Sequence, residues 1–281
     1  MKKSFSSQIW SLIAIIVLFF VLLMGASLIL QIKGVEQWRM LMALSFLQNI
    51  GVFIIPSLIV ARIFNPHKTM QVLQLNRMPK MSHILLMILI YFASIPMMHM
   101  FISWNESWQR PAAMSGLEAF LRAAEESAGA ATEQMLSAST IGQLILIIFV
   151  MGVLTGIGEE LLFRGSVQRL FSENGTNVHL AIWITAFIFS AVHMQFYGLV
   201  PRMLIGAFLG YLYVWSGSLW LPIMGHALNN SVAVLGYRYE EVLSKIEWYN
   251  ETPSLVAIVV SCVATTLLIY LSWRLASKAQ K

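Results

Sequence analysis

The sequence predicts an all-α fold, a polytopic membrane helix bundle with about eight transmembrane helices. Of its 281 residues, 58% are hydrophobic and only 11% are charged, whereas about 25% of the residues of a typical soluble domain are charged. Apolar runs long enough to cross a bilayer, which takes about 20 residues in a helix, recur along the chain. The basic residues stand at the ends of these runs and in the loops between them, which is typical of signals that orient membrane helices.

The first half of the chain is predicted to contain three spans, at about Ile9–Ile32, Leu41–Val60 and Ile84–Ile102. The first span follows Lys2 and Lys3. It is longer than the roughly 7–15 apolar residues of a cleavable signal peptide, so we interpret it as a retained helix. The loop from Ala61 to Met81 carries four basic residues and no acid, which places it in the cytoplasm by the positive-inside rule.

The segment from Ser103 to Thr140 is predicted to lie outside the membrane on the opposite side. It holds five glutamates against two arginines. A short surface helix is expected at about Gly116–Ser127.

The second half is predicted to contain five further spans. They run from near Ile141 to Phe171 and then over about His179–Phe196, Leu199–Trp215, Leu219–Gly236 and Leu255–Trp273. Eight spans place both termini in the cytoplasm, and the basic tail after the last span agrees with this. We expect one integral membrane domain over residues 1–281, in a bacterial cytoplasmic membrane, with a catalytic core at about 141–236.

Composition also excludes several classes of function. The net charge of +5 is explained by the loop lysines and arginines, so no nucleic-acid partner is expected. Cys262 is the only cysteine, so the chain can form neither an internal disulfide nor a thiolate metal cage. All 13 acidic residues are glutamate, which rules out an aspartyl dyad.

Acidic and basic residues interrupt the fourth span. Ionised groups within membrane helices normally face a protein interior or a water-filled cavity. Glu160 and Arg164 are four residues apart, so they share one helix face and are expected to form a structural ion pair. The neighbouring Glu159 then points elsewhere and is available for chemistry.

Further polar residues occur on the fifth and seventh spans. His193 lies 14 residues into the fifth span and Glu159 lies 12 residues from the same end of the fourth, about 21 and 18 Å deep. His226 and Asn230 share one face of the seventh span. We therefore expect these side chains to meet at one level of the bundle. Arg202, on the sixth span, is interpreted as an anchor at the membrane interface.

A glutamate, two histidines and an amide are the components of a hydrolytic site. The glutamate can take a proton from water, and the imidazole or amide can stabilise the oxyanion that forms at a carbonyl. The same Glu159, His193 and His226 could instead bind zinc with an open position for water. No His-Glu-x-x-His sequence is present, so a metal-free glutamate mechanism is equally consistent with the residues.

Three motifs in this half resemble those of the CPBP family of intramembrane proteases, also called Abi. They are Glu159-Glu160-x-x-x-Arg164, Phe189-x-x-x-His193 and His226-x-x-x-Asn230. The family takes in the CAAX prenyl endopeptidases and bacteriocin-processing or immunity proteins.

The resemblance implies a membrane endopeptidase acting on a peptide or protein substrate in the lipid bilayer. It implies that Glu159 and His193 activate water, that His226 and Asn230 hold the oxyanion, and that the Glu160–Arg164 pair supports the site. The alternative is a non-catalytic membrane protein, an immunity scaffold or a transporter, that uses the polar cluster for binding. Transporters often show paired repeats, whereas here the polar residues are confined to one half of the chain.

Overall fold

The computed structural model describes residues 5–108, 115–137, 140–245 and 252–279. These residues form helices and no strand, so the prediction of an all-α membrane bundle is confirmed. Lys2, Lys3, Arg110 and Lys281, whose charges entered the topology prediction, lie outside the described residues, as do parts of the two loops predicted to be external.

The described residues form ten main helices. They are α1 (Phe5–Ile32), α2 (Gln37–Phe64), α3 (Met81–Ala93), α4 (Ile95–Glu106), α5 (Ser115–Leu136), α6 (Ile141–Glu173), α7 (Val178–Ala191), α8 (Leu199–Ser216), α9 (Trp220–Arg238) and α10 (Leu255–Ala279). Helix α2 contains a π-helical turn at Asn49–Ile54, and α6 contains two, at Ile148–Leu154 and Phe163–Gln168. Turns of this kind are frequent at functional sites.

The count of eight spans stays a prediction. Among the described residues, α1, α2, α6, α8 with its preceding turn, and α10 are long and apolar enough to cross a membrane. Helices α3 and α4, which the sequence predicted as one span at about Ile84–Ile102, meet at a bend of 50° and would form a sixth. Pro96 opens α4, and a proline lacks the N–H that would continue the helix. Helix α7 has only 14 residues, and α9 carries several polar residues.

The surface helix predicted at Gly116–Ser127 is longer than expected, because α5 continues to Leu136. Its second half, Ala128–Leu136, consists mainly of good helix formers. Met135 and Leu136 pack on a buried cluster that includes Met42 and Val234. This tertiary contact extends the helix beyond the point at which the sequence pattern weakens.

Hydrogen bonds between distant loops define the two ends of the bundle. At one end, Leu219 N–H donates to the Gln74 carbonyl at 3.0 Å and the Ser218 hydroxyl donates to the Arg77 carbonyl at 2.5 Å. At the other, Asn105 Nδ2 donates to the Phe196 carbonyl at 3.2 Å. The first group combines loops predicted to be cytoplasmic, and the second combines segments predicted to be external. Which end faces the cytoplasm stays a prediction.

A close backbone contact joins α6 to α9. A Cβ atom added at Gly156 would lie 3.1 Å from the Ala227 nitrogen and 3.2 Å from the Ile223 carbonyl oxygen. Helices approach this closely in membranes where small residues line the interface. The contact fixes Glu159, less than one turn after Gly156, against the face of α9 that carries His226.

Candidate active site

The buried centre of the bundle contains the ion pair expected from the four-residue spacing. Arg164 Nη1 lies 2.7 Å from Glu160 Oε1, and both side chains are 0% exposed. Arg164 Nη2 also donates to the Gly206 carbonyl of α8 at 2.5 Å. Further hydrogen bonds offset part of the desolvation cost of a buried ion pair. Glu160 Oε2 and Arg164 Nε have no hydrogen-bond partner, whereas Arg164 Nη2 has the Gly206 carbonyl. Arg164 thereby ties α6 to α8.

Glu160 has a second partner, which sequence reasoning missed. Its Oε1 atom lies 2.8 Å from Nδ1 of His226 on α9. An ionised carboxylate can only accept, so His226 carries a hydrogen on Nδ1 and donates it. Helix spacing predicts only contacts between residues about one turn apart, whereas this acid lies 66 residues from the histidine in sequence. The bond fixes the orientation of the imidazole ring.

Glu159 points away from this pair, as expected, and toward the other nitrogen of the same ring. Its Oε2 atom lies 3.8 Å from His226 Nε2, which is beyond hydrogen-bonding distance, and it has no hydrogen-bond partner. The side chain is only 10% exposed. Helix α2 packs closely on the preceding residue, since a Cβ at Gly158 would lie 3.2 Å from the Asn49 carbonyl oxygen. Glu159 therefore presents an unsatisfied carboxylate oxygen inside the protein.

His193 follows the end of α7, where the chain turns. Its Nδ1 donates to the Phe189 carbonyl at 2.7 Å, which leaves Nε2 of a neutral ring as an acceptor. Met194 has φ of 54°, a left-handed conformation that is uncommon outside glycine. The Phe189 ring packs edge-on against both histidines, with centroid distances of 5.1 Å to His193 and 5.8 Å to His226.

Asn230 is held by bonds on both sides of its amide. Its Nδ2 donates to the Met151 carbonyl at 3.0 Å, and its Oδ1 accepts from Asn229 Nδ2 at 3.1 Å. One N–H of Asn230 has no partner in these bonds. The contribution of Asn229 to this orientation was not predicted, because an asparagine next to another carries no spacing signal.

One large cavity is lined by the four residues that were predicted to be catalytic. It has a volume of about 1160 Å³ and is lined by Glu159, His193, His226 and Asn230 together with many apolar side chains from α3, α4, α8 and α9. Ligand pockets usually measure about 300–1,000 Å³, so this cavity has room for a peptide. That the four side chains share one depth in the bundle stays a prediction.

The possible zinc ligands named from the sequence are Glu159, His193 and His226. Across the part of the chain that the structure describes, no group of three or more histidine, cysteine or glutamate side chains is placed to hold one ion. His226 Nδ1 is already bonded to Glu160, and His226 Nε2 and Glu159 face each other at 3.8 Å. Two ligands that each lie about 2.0–2.2 Å from a tetrahedral zinc ion are themselves about 3.3–3.6 Å apart, so the 3.8 Å separation does not by itself exclude the metal. Zinc binding by Glu159, His193 and His226 stays a prediction.

Arg202 was interpreted from the sequence as an interface anchor, but it lines the same cavity. Its guanidinium is bonded to Gln195, through Nη2 to Oε1 at 2.8 Å and through Nη1 to the backbone carbonyl at 3.3 Å. A basic residue near a helix end normally reaches toward the membrane surface. Here the turn at 192–198 folds back and holds the side chain inside.

Comparison with known proteins confirms the resemblance carried by the three motifs. Residues 141–232 match the model of a family described as type II CAAX prenyl endopeptidase Rce1-like. The uncharacterized protein YpbD of Bacillus subtilis (strain 168) is 29% identical over 94 residues, which make up 32% of this chain and 45% of that protein. The chain thus matches less than half the length of this relative. No solved structure matches the chain significantly.

Proposed function

We propose that this chain, whose residues 141–232 carry an Rce1-like sequence, is an intramembrane endopeptidase that hydrolyses peptide bonds of membrane-associated substrates. One observation carries the proposal. The Glu159 carboxylate has an oxygen without a hydrogen-bond partner, and it faces His226 within a largely apolar cavity. A buried acceptor of this kind is costly unless something binds to it. A water molecule that serves as the nucleophile suits this position.

The first step uses Glu159 as the general base. It takes a proton from the water while the water oxygen attacks the carbonyl carbon of the substrate. His193 assists, because its Nδ1–H is committed to Phe189 and its Nε2 can accept the second hydrogen of the water. The proton held by Glu159 then passes to the nitrogen of the leaving amine, so that the carboxylate is restored.

His226 and Asn230 stabilise the oxyanion of the intermediate. The Nδ1–H bond to Glu160 orients the ring so that Nε2 faces the cavity. When the ring carries both protons, Nε2–H can donate to the oxyanion. Glu159 then holds the proton of the water, so the two positive groups, Arg164 and His226, balance the Glu160 carboxylate and the oxyanion. The remaining N–H of Asn230 is the second donor. Preorganised donors of this type contribute about 2.7–4 kcal/mol each to catalysis.

The test compares cleavage by the native protein and by Glu159→Gln. Both would be reconstituted in liposomes with a library of apolar peptides, lipidated and free, and the products identified by mass spectrometry. Loss of the base should lower kcat by at least about 100-fold, while the melting temperature stays close to that of the native protein. Glu36→Gln, which neutralises an exposed glutamate paired with Arg39, is the matched control and should cleave normally.

Two results would count against the proposal. Full cleavage by Glu159→Gln would remove Glu159 from its role as base. Binding of peptides without cleavage by the native protein would favour the non-catalytic scaffold or transporter. The proposed chemistry requires no metal, so dialysed protein treated with o-phenanthroline should retain its activity. Activity that is lost on chelation and restored by zinc would instead support the zinc set of Glu159, His193 and His226.

A further inference from the structure

The π-helical turn at Ile148–Leu154, which we call the π-turn, lies directly before the candidate base in α6. It ends at Thr155, and Glu159 follows one ordinary helical turn later. A π-helical turn contains one residue more than an α-helical turn, so every later side chain is rotated by about 100° relative to an uninterrupted helix. The π-turn therefore determines the direction in which Glu159 points.

The same π-turn orients the amide that is proposed to bind the oxyanion. The carbonyl of Met151, inside the π-turn, accepts the 3.0 Å bond from Asn230 Nδ2. Helix α9 packs closely at this point, since a Cβ at Gly152 would lie 2.5 Å from Ser231 Oγ. Glu159 and Asn230 lie on different helices, yet the positions of both depend on this one distortion of α6.

A chain of hydrogen bonds from α2 holds the π-turn. Asn49 Nδ2 donates to Thr155 Oγ1 at 3.0 Å, and Thr155 Oγ1 donates to the Val150 carbonyl at 3.0 Å. The Thr155 N–H donates to the same carbonyl, five residues back, which is the bond of a π-helix. Asn49 Nδ2 also donates to the Ser45 carbonyl at 3.0 Å. A carbonyl can only accept, so the direction of the whole chain is fixed.

Asn49 is placed to hold α6 at two points. Its side chain is bonded to Thr155, and it is only 3% exposed. A Cβ at Gly158 would lie 3.2 Å from the Asn49 backbone oxygen and 3.3 Å from its Oδ1. Asn49 itself begins the π-helical turn of α2 at Asn49–Ile54. Both contacts of Asn49 with α6 thus lie within one helical turn of Glu159.

We propose that Asn49 and Thr155 are positioning residues, which hold the π-turn and so set the geometry of the base and of the oxyanion donor. This inference rests on the proposed function. Neither residue belongs to the three motifs, and Asn49 lies outside residues 141–232, which match the family model. Both residues act through the backbone of α6, and neither supplies a reacting group.

The kinetic test uses Thr155→Val, which keeps the shape of the side chain and removes its hydroxyl. A misplacement of about 1 Å can cost about 100-fold in rate, so kcat should fall by about tenfold or more while KM stays within about twofold. Thr155→Ser keeps the hydroxyl and should retain most of kcat. Asn49→Leu should lower kcat in the same way as Thr155→Val. Since both side chains act through one bond, the double variant should be little worse than the poorer single variant.

Ser57→Ala is the matched control. Ser57 lies on α2, is 0% exposed and donates to the Phe53 carbonyl at 2.7 Å within its own helix. Both Ser57→Ala and Thr155→Val lose a buried hydroxyl bond, so both should melt below the native protein, but Ser57→Ala should keep the native kcat.

Three results would overturn the proposal. The first is a native kcat in both Thr155→Val and Asn49→Leu. The second is an equal loss of kcat in Ser57→Ala, which would reduce the role of Thr155 to stability. The third is a raised KM with a native kcat in Thr155→Val, which would make Thr155 a substrate contact, since it also lines the cavity.

The position of residue 159 can also be measured without catalysis. Cys262 is the only cysteine, so Glu159→Cys on a Cys262→Ser background places a single thiol at the position of the base. Adding Thr155→Val or Asn49→Leu should change its rate of reaction with a small methanethiosulfonate reagent by about threefold or more, because thiol reactivity follows exposure and nearby charge. Adding Thr155→Ser or Ser57→Ala should leave the rate as it was.

This measurement separates the inference from the proposed function. A rate that changes as expected would support the positioning role, even if the native protein cleaves no peptide and the protease proposal fails. A rate that is the same with and without Thr155→Val and Asn49→Leu would refute the positioning role, even if the native protein is an active protease.

Discussion

Replacing Glu160 by glutamine should destabilise the protein strongly, although the change removes only a charge. The variant leaves the Arg164 guanidinium without its counter-ion at a position that is 0% exposed, and it weakens the bond to His226 Nδ1. Breaking one side of a buried ion pair costs about 3–5 kcal/mol. Since 1 kcal/mol corresponds to about 2–4 °C in a chain of 150–250 residues, the melting temperature should fall by roughly 6–20 °C.

The assay is thermal unfolding in detergent, followed by the fluorescence of the nine tryptophans. Glu118→Gln is the matched control, because Glu118 and Arg122 have the same spacing and a 2.8 Å contact but lie on an exposed helix surface. The melting temperature of Glu118→Gln should be close to that of the native protein. The double variant Glu160→Gln/Arg164→Met should regain much of the lost stability, since no charge is left unpaired, yet remain poorly active because His226 is no longer held. Equal melting temperatures for Glu160→Gln and Glu118→Gln would refute the reasoning.

Two further predictions concern helix packing and orientation. Gly156→Ala should lower both stability and cleavage, because the new methyl group would press on the backbone of Ala227; a melting curve and activity equal to those of the native protein would contradict this. On a Cys262→Ser background, a cysteine at Ser127 should react with an impermeant thiol reagent from outside intact cells and one at Lys68 should not, whereas labelling at Lys68 would overturn the predicted orientation.

Local features of the site could be predicted from the sequence. The contact of Glu160 with Arg164 follows from their spacing on one helix, as does the separate direction of Glu159. Depth counting from the span ends also placed His193 near Glu159, and both line one cavity. The first two results depend only on helix geometry, whereas His193 lies in the turn beyond the end of α7, so counting residues along a helix does not fix its position.

Contacts between helices could not be predicted in this way. The bond between His226 and Glu160 depends on how α6 and α9 pack, which the backbone contact at Gly156 determines. Arg202 was predicted to lie at the membrane surface, because the sequence shows only that it is near the end of a span. The bend between α3 and α4 is a third case, since a proline at a span centre can be accommodated with or without a break.

The location of the Glu160–Arg164 pair on a single helix has a consequence for how the protein enters the membrane. A lone ionised side chain opposes insertion, at about 2.5–3.5 kcal/mol at the helix centre. These two charges are one turn apart, so they can neutralise each other as soon as α6 forms, before α7, α8 and α9 have been synthesised. His226 arrives 66 residues later and adds to a pair that is already made. The nascent α6 therefore brings a neutralised pair into the bilayer, with a dipole in place of two separate ions. For the neighbouring carboxylate, Glu159, the helices that are synthesised later must supply the groups that surround it.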